Sequence, residues 1–225
     1  MKRWLIIWVS VLCLAIAAHA AELGKTLVPL DAGKVATEET AFGNFVADAV
    51  RAAAGADAAI VHAMAFRANA LIPVGMVDEQ AVRNSLASPS RTICVLKLTP
   101  AQLRNVMLRS LNKYPNANPA FLQVSGMKVV FDGKAPTANR VASIAIDGKT
   151  LDLADNKTTF KVAMPQELAL GAVGYVLDFT DEVTKTMVKT DVTLLDAVAA
   201  EFGRHKNGIE PKVEERLKDN NPPKK

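Results

Sequence analysis

One arginine stands among small and apolar residues in the segment VHAMAFRANA, residues 61–70. The planar guanidinium group of an arginine pairs with phosphate or carboxylate through parallel hydrogen bonds, so Arg67 is a candidate for holding an anionic ligand. A structural or surface arginine is an equally good interpretation. His62 is either a hydrogen-bonding group at the mouth of this loop or, the interpretation we favour, a half-buried histidine whose nitrogens have partners.

Residue types that would complete an active site are scarce. Beyond His19 the chain has only His62 and His205, and neither lies in the H-x-x-x-H, H-E-x-x-H, D-x-H or C-x-x-C patterns typical of metal sites. Carboxylates alone can hold Mg²⁺ or Ca²⁺, but no Asp-x-Asp loop is present. Cys94 lies in the apolar run TICVLKL, which predicts a buried, inert thiol. We therefore expect no metal, no cofactor and no self-sufficient catalytic site.

The first residues predict an exported protein. Lys2 and Arg3 form a short basic start, residues 5–18 are almost all apolar, and Ala18-His19-Ala20 offers small residues where a signal peptidase reads. The apolar run is shorter than the roughly 20 residues that span a bilayer. Residues 1–20 are therefore predicted to be a cleaved signal peptide. The protein is then periplasmic or secreted and has no membrane anchor.

Removal of that segment lowers the net charge. The whole chain has 27 basic and 23 acidic residues, so 25 basic residues are left without Lys2 and Arg3, a net charge of about +2. The charges are interspersed, which argues against nucleic-acid binding. We expect one domain over residues 21–207, long enough to bury a core, and a polar, frayed tail over residues 208–225.

Hydrophobic periodicity predicts several helices. Apolar residues spaced by three and four indicate a helix from Thr37 to Gly55, with the glycine as the terminating residue. A second helix is expected after Asp78, and a third from Thr99, where Pro100 suits the first turn. The segment 191–205 is predicted to be the last helix, with Asp191 as its N-cap.

Strands are predicted between these helices. They are AAIVHA, TICVLKL, FLQVSGMKVVFDG, a hairpin around Asp147-Gly148 and TTFKVAMP. Helices come first, then mostly antiparallel strands, then a helix. That order favours an α+β domain with helices packed on a mixed, largely antiparallel sheet.

Four segments, taken in order, resemble one known domain. They are EETAFGNFVADAVRAAAGADAAIV (38–61), VLKLTPAQLRNVM (95–107), FLQVSGMKVVFD (121–132) and VAMPQELALGAVGY (162–175). Their motifs are similar to those of the C-terminal domain of the 5'-nucleotidases. Order and spacing agree from residue 36 to about residue 205.

The resemblance implies the fold of that domain and a role in holding a nucleotide. In the full enzymes, a larger N-terminal metallophosphoesterase domain carries two metals. The C-terminal domain binds the phosphate with arginines and the base between two phenylalanines. This sequence shows no metal domain, so we expect a stand-alone binding or specificity module without catalysis of its own. Two alternatives stay open. One is a subunit of a two-chain 5'-nucleotidase, completed by a separate metallophosphoesterase chain; the other is a degenerate domain with a structural or protein-interaction role.

Carried over residue by residue, the resemblance implies a ligand site at Arg67, Phe121, His62, Asn44, Gly171 and Gly174. Arg67 keeps the arginine of the family's ligand loop. Phe121 stands at a stacking position, although core packing is the interpretation we favour for it. Asn44 and Asp48 match helix positions and are expected to be structural, bonding loop backbone near the end of the following strand.

The sequence also departs from the family pattern. The loop Asn-Gly-Gly-Gly-Ile-Arg is here HAMAFR (62–67), and Cβ atoms in place of the glycines disfavour close approach of backbone to a ligand. An arginine of the family is replaced by Ala36, and a stacking phenylalanine by Glu167, which would repel a phosphate. Arg91 is either a new anion contact or, as we favour, a solvated loop arginine. We expect a retained fold and an altered or vacant pocket.

Overall fold

The structure is a computed structural model that describes residues 21–222. The predicted signal peptide, residues 1–20, lies outside the described residues. Among the helices of the described part, none is long and apolar enough to cross a membrane.

Strands and helices are interspersed along the described residues. The strands are β1 (Glu22–Thr26), β2 (Leu30–Asp31), β3 (Ala58–His62), β4 (Leu71–Ile72), β5 (Gly75–Asp78), β6 (Thr92–Leu98), β7 (Leu122–Ser125), β8 (Met127–Phe131), β9 (Val141–Ile146), β10 (Lys149–Thr150), β11 (Phe160–Pro165), β12 (Val188–Thr193) and β13 (Leu217–Asp219). The α-helices are α1 (Ala41–Ala54), α2 (Glu79–Ser85), α3 (Pro100–Ser110), α4 (Gln166–Ala169), α5 (Asp181–Thr184) and α6 (Leu194–Arg204).

The central sheet has five strands in the order β12-β6-β11-β3-β7. β3 and β11 are parallel, with Ala58 opposite Val162, whereas the other pairs in this sheet are antiparallel. A second sheet has the order β10-β9-β8-β13, and β1–β5 and β2–β4 form two small antiparallel pairs. Helices on mixed, largely antiparallel sheets confirm the predicted α+β class.

Helix α1 packs against the central sheet through an apolar face that includes Phe42, Phe45, Val46 and Val50. The Thr40 side chain accepts a hydrogen bond from the backbone N–H of Gly43 and caps the helix, and Gly55 ends it in the left-handed region at φ 56°. The helix begins at Ala41 rather than at Thr37, because Thr37 belongs to a turn in which its N–H donates to Lys34 O.

Two other helices begin with a reciprocal capping box. In α3 the Thr99 hydroxyl accepts from the N–H of Gln102, whose side chain accepts from the N–H of Thr99. In α6 the same arrangement joins Thr193 and Asp196. The predicted N-cap Asp191 is therefore wrong, because β12 continues through Thr193 and delays the start of the helix.

The core includes the whole of β3, all of whose residues are buried. A continuous apolar run is typical of a strand covered on both faces. Cys94 on β6 is also fully buried, and burial raises the pKa of its thiol to about 12. The expected burial of this thiol is therefore confirmed.

Residues 209–222, which we call the C-terminal strap, pack along the domain, so the predicted frayed tail is wrong. β13 pairs in parallel with β8. The N–H of Ile209 donates to Lys25 O, and the N–H of Asn220 donates to Phe131 O. The strap thereby bonds both to β1 and to the edge of the second sheet.

The buried carboxylate of Glu39 and an ion pair between Arg216 and the half-buried Asp48 hold this polar segment. Glu39, 7% exposed, accepts the backbone N–H of Glu214 at 2.7 Å and of Leu217 at 3.1 Å. Arg216 donates to both oxygens of Asp48 at 2.8 Å. Such partners are 168 to 178 residues apart in the chain, which is why hydrophobic periodicity does not reveal them.

Removal of the Arg216 side chain is expected to destabilise the protein. Arg216→Ala leaves the half-buried Asp48 without its charged partner, and we expect the free energy of unfolding to fall by about 2 kcal/mol. Denaturant unfolding of the purified variant measures the change.

Lys218→Ala is the matched control, because Lys218 also lies in the strap but makes only an exposed pair with Glu215. We expect a change below about 0.5 kcal/mol there. Equal losses in the two variants, or no loss in either, would contradict the anchoring role of Arg216.

Candidate functional site

Most of the predicted site residues lie at one edge of the central sheet. Because β3 and β11 are parallel, both end at this edge, at His62 and at Pro165. β6 and β7 run the opposite way and begin here, at Thr92 and Leu122. The segments that leave or enter these four strands therefore meet at the same edge.

His62 is buried and lacks hydrogen bonds. Its side chain is 1% exposed, and neither ring nitrogen has a hydrogen-bond partner in the described part of the chain. Burial lowers the pKa of the imidazole from 6.5 to about 4, so the ring is neutral at neutral pH. The expected half-buried, satisfied histidine is therefore wrong, because β3 carries its last residue into the core.

Glu167 lies between this histidine and an arginine. One carboxylate oxygen of Glu167 lies 3.6 Å from His62 Nε2, and the other lies 3.1 Å from Arg91 Nε. Burial raises the pKa of Glu167, and the charge of Arg91 acts against that rise. Arg91 is mostly exposed but paired, so it is not the freely solvated arginine that we favoured. The pair places opposite charges where the family has an aromatic ring.

Arg67 is exposed on the loop that follows β3. Its backbone N–H donates to Ser85 O at 2.9 Å, and its Nε donates to Leu86 O at 3.2 Å. These bonds tie the loop to the end of α2. They use one of the five N–H donors of the guanidinium group, so an anion can still pair with the others. Both interpretations of Arg67 are compatible with this position.

Two phenylalanines near the site lie in the core. Phe121 is 1% exposed, and its carbonyl accepts the N–H of Ala63 at 2.8 Å. Its ring is therefore not available for stacking on a ligand in this conformation, as the core-packing interpretation expects. Phe66 is 4% exposed and packs edge-on against Phe42 with ring centroids 5.4 Å apart. Met64 differs, since 52% of it is exposed.

The glycines after α4 are required by the backbone. Gly171 and Gly174 have φ values of 94° and 92°, a region that favours glycine. A Cβ on Gly171 would lie 2.7 Å from the Cβ of Val176. Tyr175 anchors this loop, because its buried hydroxyl donates to Ala120 O at 2.8 Å. The turn therefore explains both glycines without a ligand.

An ion pair that the sequence did not reveal also holds this loop. Arg109 of α3 donates to the carboxylate of Asp178. The guanidinium carbon of Arg109 lies 5.9 Å from the centre of the Tyr175 ring. Helical periodicity places Arg109 on α3, but no local signal connects it with a residue far along the chain.

Asn44 hydrogen-bonds away from the loop after β3. Its Nδ2 donates to Glu39 at 2.6 Å and to the carbonyl of Lys212 in the C-terminal strap at 2.9 Å. The expected backbone partner near the end of β3 is therefore wrong for Asn44, because the strap covers this part of α1. Asp48 likewise bonds to Ser125 and Arg216.

The arrangement offers a ligand hydrogen bonds and charge pairing. It contains the carboxylate–guanidinium pair of Glu167 and Arg91 and the exposed Arg67, and the buried imidazole of His62 lies next to Glu167. In residues 21–222, no group of three His, Cys, Asp or Glu side chains could hold a metal ion.

Comparison with known proteins decides the family. The family model described as "5'-nucleotidase, C-terminal domain" matches residues 17–179. The chain belongs to this family. The resemblance of the sequence to this domain is thereby confirmed.

Relatives of this 5'-nucleotidase C-terminal domain are longer proteins. The "Trifunctional nucleotide phosphoesterase protein YfkN" of Bacillus subtilis (strain 168) is 29% identical over 206 residues, which cover 88% of this chain and 14% of that protein. The crystal structure of a 5'-nucleotidase precursor from Thermus thermophilus matches with a TM-score of 0.78 and 22% identity, covering 89% of this chain and 40% of that chain. The NAD nucleotidase of Haemophilus influenzae matches with a TM-score of 0.72 and 16% identity, covering 90% of this chain and 38% of that chain.

Acid is expected to destabilise this 5'-nucleotidase C-terminal domain through His62. The imidazole titrates near 6.5 when unfolded and near 4 when folded, so the unfolded chain binds the extra proton between these values. Stability that is fully present above pH 6.5 is lost as the pH falls towards 4, by up to about 3 kcal/mol. Denaturant unfolding at about pH 7.5 and about pH 4.5 measures the loss.

His62→Gln is expected to lose less stability between these two conditions than the unchanged protein does. His205→Gln, at the exposed end of α6, serves as the control and should retain the full loss. If His62→Gln loses as much as the unchanged protein, the imidazole is not the responsible group.

Proposed function

We propose that this chain is an exported module that binds a nucleotide-like small ligand and performs no catalysis of its own. Membership of the 5'-nucleotidase C-terminal domain family over residues 17–179 is the observation that carries the proposal. The relatives named above include a nucleotide phosphoesterase, a 5'-nucleotidase and an NAD nucleotidase. Export, to the periplasm or to the exterior, rests on the signal-like residues 1–20.

The meeting of four strand ends supports a binding role. Loops at the carboxyl ends of neighbouring parallel strands are common ligand sites in sheets. Here the loop after β3 is tied to α2, and the glycine loop is anchored by Tyr175. A site whose walls are already ordered loses little conformational freedom when a ligand binds.

Charge distribution suggests where a ligand would lie. Arg67 offers a guanidinium group to an anionic part of the ligand. Glu167 repels negative charge from the space beside His62, so the phosphate of a nucleotide would lie towards Arg67 and away from Glu167. Gly171 and Gly174 then border the uncharged part of the ligand, and the buried side chains of His62 and Phe121 support the site from the core.

Calorimetry with AMP and adenosine tests this proposal. We expect both to bind, AMP through an added contact with Arg67. Arg67→Ala should lower the affinity for AMP by about tenfold, because a charge-assisted hydrogen bond is lost, and should leave the affinity for adenosine unchanged. Glu167→Gln should raise the affinity for AMP, because it removes the negative charge that repels the phosphate.

Arg83→Ala is the matched control, since Arg83 lies on the exposed face of α2 and pairs with Glu79. It should leave both affinities unchanged. Absence of heat for nucleotides and nucleosides at millimolar ligand would contradict the proposal. It would favour instead a degenerate domain with a structural or protein-interaction role, which the burial of Phe66 and Phe121 also supports.

The length of the relatives favours a second candidate function. The chain spans 40% of the Thermus thermophilus 5'-nucleotidase precursor and 38% of the NAD nucleotidase. We propose as the alternative that the chain completes a two-chain 5'-nucleotidase together with a separate metallophosphoesterase chain. In that assembly it would position the nucleotide.

Measurement of phosphate release from AMP tests which of the two chains carries the catalytic activity. The purified chain alone should release no phosphate with Mn²⁺, Mg²⁺ or Zn²⁺, because we assign the metal chemistry to the other chain. Robust release by the pure protein, lost on chelation, would overturn this assignment.

A further inference from the structure

A pocket of about 300 Å³ lies beside the loop after β3. Its walls come from three segments, residues 32–36, 63–69 and 117–119. The pocket borders the HAMAFR loop and Ala36, but none of the six expected site residues is among its lining residues. The ligand proposed for it is therefore a different one from the nucleotide-like ligand proposed above. A protein helix or strand is too large for this volume, which lies at the lower end of the range for small-molecule sites.

None of the residues that line this pocket is charged, because Lys34 and Arg67, which belong to the same segments, are not among its lining residues. Its polar side chains are Asn69 and Asn118. The amide of Asn118 is already used, since it donates to Ser110 O and Asn112 and accepts from the N–H of Ala120. An anion in this space would lose its hydration without gaining a charged partner, which costs free energy.

Backbone hydrogen bonds hold the three walls together. The N–H of Ala32 donates to Ala70 O at 2.9 Å, and the N–H of Asn118 donates to Ala36 O at 2.9 Å. The N–H of Met64 donates to Pro119 O at 3.2 Å. The pocket therefore exists before any ligand binds, and the half-exposed Met64 side chain can adapt its shape to a ligand.

We propose that this pocket binds one small, uncharged and mainly apolar molecule, of the size of a single substituted aromatic ring. Apolar contact with Ala36, Met64, Phe66 and Pro119 stabilises the complex, and the lack of a cation excludes phosphates and carboxylates. Ala36 contributes to this preference for uncharged ligands, because a cationic side chain at position 36 would make the pocket favour anions.

Nuclear magnetic resonance of methyl-labelled methionines tests the proposal in the unchanged protein. Benzyl alcohol and benzoate are the probes, because they have nearly the same shape and differ in charge. We expect benzyl alcohol to shift the Met64 methyl signal saturably at about millimolar concentration, the range typical of so small a ligand. Benzoate should bind at least tenfold more weakly. Met76, which is also exposed but lies outside the pocket, is the internal control and should not shift.

Two variants sharpen the test. Ala36→Leu fills the pocket and should lower the affinity for benzyl alcohol by at least tenfold. Ala154→Leu, at an exposed loop position, should leave this affinity unchanged. Equal shifts at Met64 and Met76, no saturable shift at Met64, or equal binding of benzoate would each overturn the proposal. The outcome is independent of the calorimetry, because neither probe contains a nucleoside or a phosphate.

Discussion

The parallel pairing of β3 with β11 is the contact on which the rest of the structure depends. It places Ala58 opposite Val162 and Ala59 opposite Ala163, and so makes both strands end at the same edge of the central sheet. α1 packs against both strands. A shift of the pairing by one residue would turn every side chain of the strand to the other face and separate His62 from Glu167.

This pairing also explains the unusual state of His62. A strand buried along its whole length carries its last residue into the core, whatever that residue is. Burial in the apolar surroundings of the sheet disfavours the charged form of this imidazole and lowers its pKa. Glu167 is too far away for a hydrogen bond, and its charge is balanced by Arg91 instead.

The C-terminal strap is held against α1 by a different kind of interaction. Its side chains are mostly polar, so buried hydrogen bonds rather than apolar contacts hold it in place. Glu39, Asn44 and Asp48 all face this segment and use their polar atoms there. Asn44 and Asp48, the two residues of α1 that match the family pattern, therefore stabilise the fold of this chain. The polar groups at the edge of the central sheet come from other segments.

Local signals in the sequence determined the α+β class, some of the helix ends and the family. Thr40, Gly55 and Thr99 act through residues within one helical turn, and the motifs around β3, β7 and β11 are continuous in the chain. The tertiary structure alone decided the complete burial of His62, the Glu167–Arg91 pair, the partners of Asn44 and the order of the strap. Each of these depends on residues far apart in sequence. Strand pairing and packing bring these distant residues into contact, and the residue types and spacing within one segment do not show which distant segment will pack against it.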